Sequence, residues 1–283
     1  MLSRCPVALE PGIKRARWDG RSVGDWAGVM DGADAAINLA GRTVNCRYTD
    51  EQAIACAWFP PRVWLQASTA TIYEHTHGCA NGEDGVIGGA EEGVPASWAV
   101  SVEIAQRWEA AQLQVDTPRT RKVALRSALV MSPDRGGVLE ALLWMARLGV
   151  GGPVAGGRQY VSWIHEHDFV RAIELLPTRD DIDGPVNLAS PFPLPQRDLM
   201  KALRNHRIGL PATKLMAEVG AFVLRSDTEL LLKSRRVAPA RLLEEGFVFD
   251  YPTWPEAAAD LVRRHPAVAG PRRRRTRKRS VLH

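Results

Sequence analysis

Short runs of β-type residues alternate with helical patterns through the first two-thirds of the chain. That alternation restricts the fold more than any other feature. Residues 34–40 (DAAINLA), 62–68 (RVWLQAS), 122–130 (KVALRSALV), 160–164 and 185–189 read as strands. Residues 98–113, 137–148 and 168–176 read as helices, and in the first of these Ile104, Trp108 and Ala111 share one face at i, i+4, i+7 spacing. Strands alternating with helices build a mainly parallel sheet covered by helices, an α/β fold.

After residue 190 the pattern changes. Prolines at 191, 193 and 195 mark the break, and helical patterns follow at 196–205, 212–224 and 228–234. A short strand is expected at 247–250. A helix then opens with a capping box, Thr253 with Glu256 three residues on, and Pro255 in its first turn. The expected organisation is one domain at 1–190, a small, mostly helical domain at 191–265, and a disordered basic tail at 266–283.

Composition limits the function classes. Apolar residues make up 45% of the 283 and charged residues 24%, a globular balance. The formal charge is +5, but Arg272–Arg279 (RRRRTRKR) carries seven of the positive charges, which leaves the rest of the chain at −2. The tail has no interleaved aromatics, so no nucleic-acid partner is expected. No apolar run approaches the ~18 residues of a membrane helix, so no membrane partner is expected. The four cysteines are irregularly spaced, which points to reduced thiols and a cytoplasmic setting.

Several motifs, in order, resemble the extended and atypical short-chain dehydrogenase/reductase proteins. The similarity is to the epimerase-like family that carries a C-terminal domain of unknown function. GADAAINLAG (32–41) looks like that family's fourth strand, and RVWLQASTATIY (62–73) like its fifth strand and active-site segment. GRQYVSWIHEHDFVRAI (157–173) and GPVNLAS (184–190) look like its late substrate-side motifs. SRRVAPARLLEEGFVFDYPTWPEAAADL (234–261) looks like its C-terminal appendage. The resemblance implies a Rossmann-like doubly wound parallel sheet, a nicotinamide cofactor and a small-molecule substrate of nucleotide-sugar type.

Two family features have no counterpart. The glycine-rich turn that sets backbone N–H groups against a pyrophosphate is missing, as are the strand before it and the helix after it. The long family helix after the RYT motif is missing too, because YTDEQ runs almost directly into AIACAWFPPRVW. The sheet is therefore expected to be incomplete, as in an N-terminally truncated family member. The row Ala35–Leu39 should then expose backbone groups and apolar side chains.

The resemblance also places the site. Ser3 and Arg4 match the end of the second strand, where an arginine suits the 2′-phosphate of NADP rather than the free hydroxyl of NAD. Asp19 and Gly20 match the loop near the adenine. Asn38, Ala40, Gly41 and Ser68 are strand-end residues expected against the cofactor, with Ala40 and Gly41 small enough for close approach. Short-chain reductases use Tyr-x-x-x-Lys on a helix, but here Trp98 and Val102 hold those positions, and neither exchanges a proton. Thr69 keeps the position that orients a substrate oxygen, and Tyr73 is the nearest phenol. His165 and Asp168 fit either an acid–base role or a structural one. Arg126, Arg158 and Gln159 are candidates for an anionic group on the substrate, with surface ion pairing as the alternative. His75, His77 and Cys79 in one segment, and His165 and His167 in another, lack metal-ligand spacing, so no metal is expected. Two readings follow: an NAD(P)-binding epimerase-like protein, or a non-catalytic remnant that does not hold a dinucleotide.

Overall fold

The computed structural model describes residues 1–3, 11–18, 28, 30, 32–39, 60–92, 96–147, 154–205 and 233–266. In chain order the strands are β1 (Leu2–Ser3), β2 (Ala16–Arg17), β3 (Ala35–Asn38), β4 (Val63–Thr69), β5 (Arg121–Ser127), β6 (Leu129–Met131), β7 (Tyr160–Val161), β8 (Trp163–His165), β9 (Gly184–Leu188) and β10 (Leu194–Pro195). The helices are α1 (Ala96–Leu113), α2 (Val138–Arg147), α3 (Glu166–Leu175), α4 (Gln196–Asn205), α5 (Ala240–Glu244) and α6 (Trp254–Arg264).

The centre is a four-stranded parallel sheet in the order β3-β4-β5-β9. The strands β4 and β5 carry near-continuous buried runs, as parallel strands covered on both faces require. Leu65, Val123, Leu125, Val186 and Leu188 pack with Ile164, Ala172 and Leu176 into one core. A second core joins Met131, Leu139, Leu143 and Trp163 to Leu199, Trp254 and Leu261, with the Trp163 and Trp254 rings edge to face at 4.9 Å. Side chains from both sides of residue 190 therefore share one apolar cluster.

Strands β1 and β2 form a separate parallel pair. Among the described residues only β4 pairs with β3, and Ile37 and Leu39 stand 47% and 51% exposed. The same residues contain no helix long and apolar enough to cross a membrane.

Four expectations are corrected. The strand read at 122–130 breaks at Ala128, where the chain changes partner: Ala128 N–H still bonds Leu188, but Leu129 N–H turns to Ser162. The strand read at 160–164 breaks at Ser162, whose hydroxyl donates to the Arg235 carbonyl and accepts from Val237 N–H, both at 2.8 Å. Residues 247–250 form no strand. Their polar groups are met outside a sheet: Phe247 N–H donates to the Leu242 carbonyl at 2.8 Å, and Asp168 accepts from Asp250 N–H and the adjoining Tyr251 N–H at 2.9 Å each. Lastly, the core face of α1 is Trp98, Val102, Ala105 and Gln112, while Ile104, Trp108 and Ala111 are only half-buried. Hydrophobicity misses that face because part of it is polar: Gln112 Nε2 donates to the Trp64 carbonyl of β4 at 2.8 Å.

The helix expected at 196–205 forms, and Thr253 bonds the Glu256 carboxylate at 3.0 Å at the start of α6. The patterns at 212–224 and most of 228–234 lie outside the described residues, as does the tail beyond 266. Lys233 and Ser234 belong to an irregular connection.

Candidate functional site

In an open parallel sheet, ligands bind beyond the carboxyl ends of the strands. Here the next-to-last residues of β4, β5 and β9 face one another in register, Ser68 with Arg126 and Arg126 with Asn187. The interior of this layer is closed. Arg126 is gripped by the Glu109 carboxylate through Nε and Nη2, both at 2.9 Å, and Ser68 donates to the same carboxylate at 2.6 Å. Arg126 Nη1 donates to the Tyr73 hydroxyl at 2.9 Å and to the Glu83 carbonyl at 3.0 Å. Tyr73 in turn donates to Asn187 Oδ1 at 2.8 Å. The Glu83 carboxylate accepts from Asn187 N–H at 2.9 Å and from Arg241 N–H at 3.2 Å.

The electrostatics follow the geometry. Burial raises the Tyr73 phenol above its ordinary value, against the pull of Arg126. Burial likewise raises the Glu83 carboxyl. Desolvation works against the Arg126 charge, but Glu109 and Tyr73 more than offset it, so its pKa is raised. This network ties β4, β5, β9, α1 and the start of α5 together. Tyr73 and Arg126 are buried in it, their polar atoms turned toward protein partners rather than a ligand.

The mouth above it is different. β4 ends at Thr69, which caps the 3-10 turn Ala70–Ile72: its Oγ1 accepts from Thr71 N–H at 3.2 Å and lies 3.1 Å from Thr71 Oγ1. Thr69 is half-buried. Asn38, also half-buried at the end of β3, donates to Gln66 Oε1 at 2.9 Å. On α1, Trp98 and Val102 are both buried. Gly89 lies against Val102 at a φ of +99°, a left-handed conformation that favours glycine, and a Cβ there would stand 3.5 Å from the valine Cβ.

From the C-terminal segment, Lys233 donates to the Thr71 carbonyl at 2.9 Å, with its ammonium 6.0 Å from the Trp98 ring centre. His75 stands 5.6 Å from Trp98, ring centre to ring centre. Burial, His77 and Lys233 hold the His75 pKa below its ordinary value, with Glu91 opposing.

The expected site residues therefore separate. Thr69 and Asn38 sit at the mouth, while Ser68, Tyr73 and Arg126 lie in the closed layer. Gln159 is buried and accepts Gln196 N–H through its carbonyl at 2.9 Å, and Arg158 is exposed. Arg4, Asp19, Gly20, Ala40 and Gly41 lie outside the described residues, as does the side chain of Ser3.

His165 and Asp168 form a second buried polar centre. The His165 ring stacks on Tyr251 at 3.8 Å, with Nε2 3.3 Å from Asp260 Oδ2. Asp168 caps the 247–251 segment. Sequence reading missed Glu109, Glu83, Asn187 and Lys233. A signal existed for Glu109: it continues the Trp98, Val102, Ala105 stripe by four residues, onto the core face of α1.

For a nicotinamide dinucleotide, the described part of the site offers the end expected at the reacting ring. Thr69 and Asn38 are polar and half-buried at adjacent strand ends, which suits a ligand lying along this edge. No pyrophosphate cradle is found among the described residues.

Comparison with known proteins agrees with the fold. Residues 219–261 match the model of a domain of unknown function (DUF1731). An epimerase family protein of Staphylococcus epidermidis is 30% identical over 257 residues, covering 84% of this chain and 82% of that protein. The crystal structure of human epimerase family protein SDR39U1 (isoform 2), with NADPH, superimposes with a TM-score of 0.69 at 25% identity, over 93% of this chain and 90% of that one. A nucleoside-diphosphate sugar epimerase from Corynebacterium glutamicum gives a TM-score of 0.69 at 25% identity, over 90% of this chain and 51% of the other. The fold and these relatives define a Rossmann-type protein related to the short-chain dehydrogenases/reductases. The chain belongs to the epimerase family.

Proposed function

We propose that this chain binds NADP, or NAD, along the carboxyl ends of β3 and β4, and acts on a small nucleotide-sugar-like substrate held against the C-terminal segment. The observation that carries the reading is the half-buried Thr69 turn at the mouth, in a fold whose human relative was solved with NADPH. Thr69 and Asn38 would face the nicotinamide end of the cofactor. Ser3, Arg4, Asp19, Gly20, Ala40 and Gly41 would line the rest, with Arg4 favouring the 2′-phosphate. The cofactor, when bound, would accept or return a hydride. Arg158, which is exposed, is the substrate-side cation available to a diphosphate. A cytoplasmic setting belongs to the same proposal and rests on the irregular spacing of the four cysteines.

Titration with NADPH, read as energy transfer from the nine tryptophans, tests the reading. Saturation at about micromolar concentration is expected, a typical affinity for a small-molecule site. Nucleoside-diphosphate sugars should then raise the melting temperature further only when cofactor is present.

One observation favours a second reading. The helix positions that carry tyrosine and lysine in working reductases are filled by buried Trp98 and Val102. A protein that kept the sheet and lost the chemistry would look like this. It would give no saturable transfer from tryptophan to NADPH.

A further inference from the structure

Resting on the reading that a nicotinamide dinucleotide lies along this edge, we propose that His75 binds the reacting oxygen of the substrate through Nε2–H, and that Lys233 is its positioning residue. The argument begins with the imidazole tautomer. Ser234 N–H donates to His75 Nδ1 at 2.9 Å, so Nδ1 holds the lone pair and the neutral ring carries its proton on Nε2. Among the described residues, no group hydrogen-bonds to Nε2. The backbone is held as well, where the His75 main-chain N–H donates to Glu91 Oε1 at 3.0 Å.

The placement is specific. His75 lies beside Trp98, the residue that stands where the resembling reductases have their phenol. His75 follows β4 and its 3-10 turn in the chain, so its donor belongs to the β4 exit segment and not to α1. Lys233 arrives from the far end of the sequence. Its ammonium is anchored on the Thr71 carbonyl within the same short exit segment. The segment that carries Lys233 is pinned in place: Thr76 N–H donates to the Ser234 carbonyl at 3.2 Å, and Arg235 N–H to the Tyr160 carbonyl at 2.9 Å.

The charges explain the choice of a neutral donor. The groups facing His75 are His77 at 5.0 Å between ring centres, Glu91 on its backbone, and Lys233. Burial together with His77 and Lys233 outweighs Glu91 and holds the ring's pKa below its ordinary value, which favours the neutral form. A fixed, neutral N–H beside a buried cation suits an oxygen that gains negative charge. When a hydride adds to a carbonyl carbon, the π electrons move to the oxygen. Nε2–H would then stabilise the alkoxide, which would take a proton from solvent water and leave hydroxide to the bulk; the nicotinamide that gave the hydride would be left oxidised, and His75 would keep its own proton.

Sulfite with NADP+ tests this without a known substrate. Sulfite gives its sulfur lone pair to C4 of the oxidised nicotinamide, and the ring nitrogen takes up the displaced electron pair. Anionic oxygens then stand where a substrate oxygen would, and a near-ultraviolet band reports the adduct. His75→Phe should weaken sulfite binding at least about tenfold, the low end for loss of one hydrogen bond to a charged group, with NADP+ affinity held within about twofold. His75→Gln, which keeps a side-chain N–H, should recover part of the loss and guards against misfolding of the phenylalanine variant. In Lys233→Gln, the NMR titration midpoint of the His75 ring should move upward.

Equal sulfite affinity in wild type and His75→Phe would overturn the assignment, and so would an unmoved His75 midpoint in Lys233→Gln. If NADP+ fails to bind at all, the cofactor reading and this assignment fall together. If NADP+ binds but sulfite ignores His75, only the assignment falls.

Discussion

The closed layer around Arg126 and the mouth around Thr69 sit at the same end of the same sheet, yet they differ in kind. In the closed layer each polar group answers another: guanidinium to carboxylate, phenol to amide, carboxylate to backbone N–H. In the mouth the groups are half-buried, and the His75 donor has no partner among the described residues. On the proposed reading, the difference separates structural polarity from polarity kept for a ligand. A buried charge is tolerated only when it is paired and fully hydrogen-bonded. A ligand site must keep some hydrogen-bonding capacity in reserve.

The largest effect should come from breaking the closed layer. Arg126→Met leaves the Glu109 carboxylate, 14% exposed at its side chain, without its cation. A loss of about 3–5 kcal/mol is expected in urea unfolding, as for removal of one member of a buried pair. The double variant Arg126→Met, Glu109→Leu should recover much of it.

A smaller effect should follow Tyr73→Phe. It removes the hydroxyl between Arg126 and Asn187, and should cost about 1–3 kcal/mol, the penalty for a buried partner left unmatched. NADPH affinity should not change, because the phenol faces inward. A large loss of affinity at unchanged stability would return Tyr73 to the mouth.

The smallest effect concerns pH. His165 accepts His167 N–H at Nδ1, 3.1 Å away, and burial with Arg264 nearby pulls its pKa below the ordinary 6.5. The unfolded chain therefore takes up this proton first as pH falls. The contribution of His165 is complete above about pH 6.5 and is lost as the pH drops through its lowered native value. The urea midpoint should be lower at about pH 5.5 than at about pH 7.5. His165→Gln should flatten that dependence in part, because burial also depresses His75 and His265.

The sheet was legible in the sequence because parallel strands buried on both faces leave continuous apolar runs, as at 62–68. Thr69 was legible too, since a hydroxyl at a strand exit follows from local order. What escaped reading was long-range. The Arg126–Glu109 pair joins a strand to a helix, and the Lys233–Thr71 bond spans 162 residues. Periodicity carries no information on such pairings. Ala128 and Ser162 break strands because the chain changes partner there, a decision of the sheet and not of the residues. Only a family resemblance singles out Trp98 and Val102, and the burial of both, with Val102 against Gly89, is a property of the fold.

Hydrogen exchange with and without NADPH tests the central claim most directly. Slowed exchange is expected at the amides of residues 69–75 and 98–102, at the mouth, with little change at 121–126, where the amides are already locked in the sheet. Exchange that is identical in both states across the mouth, at saturating NADPH, would contradict it.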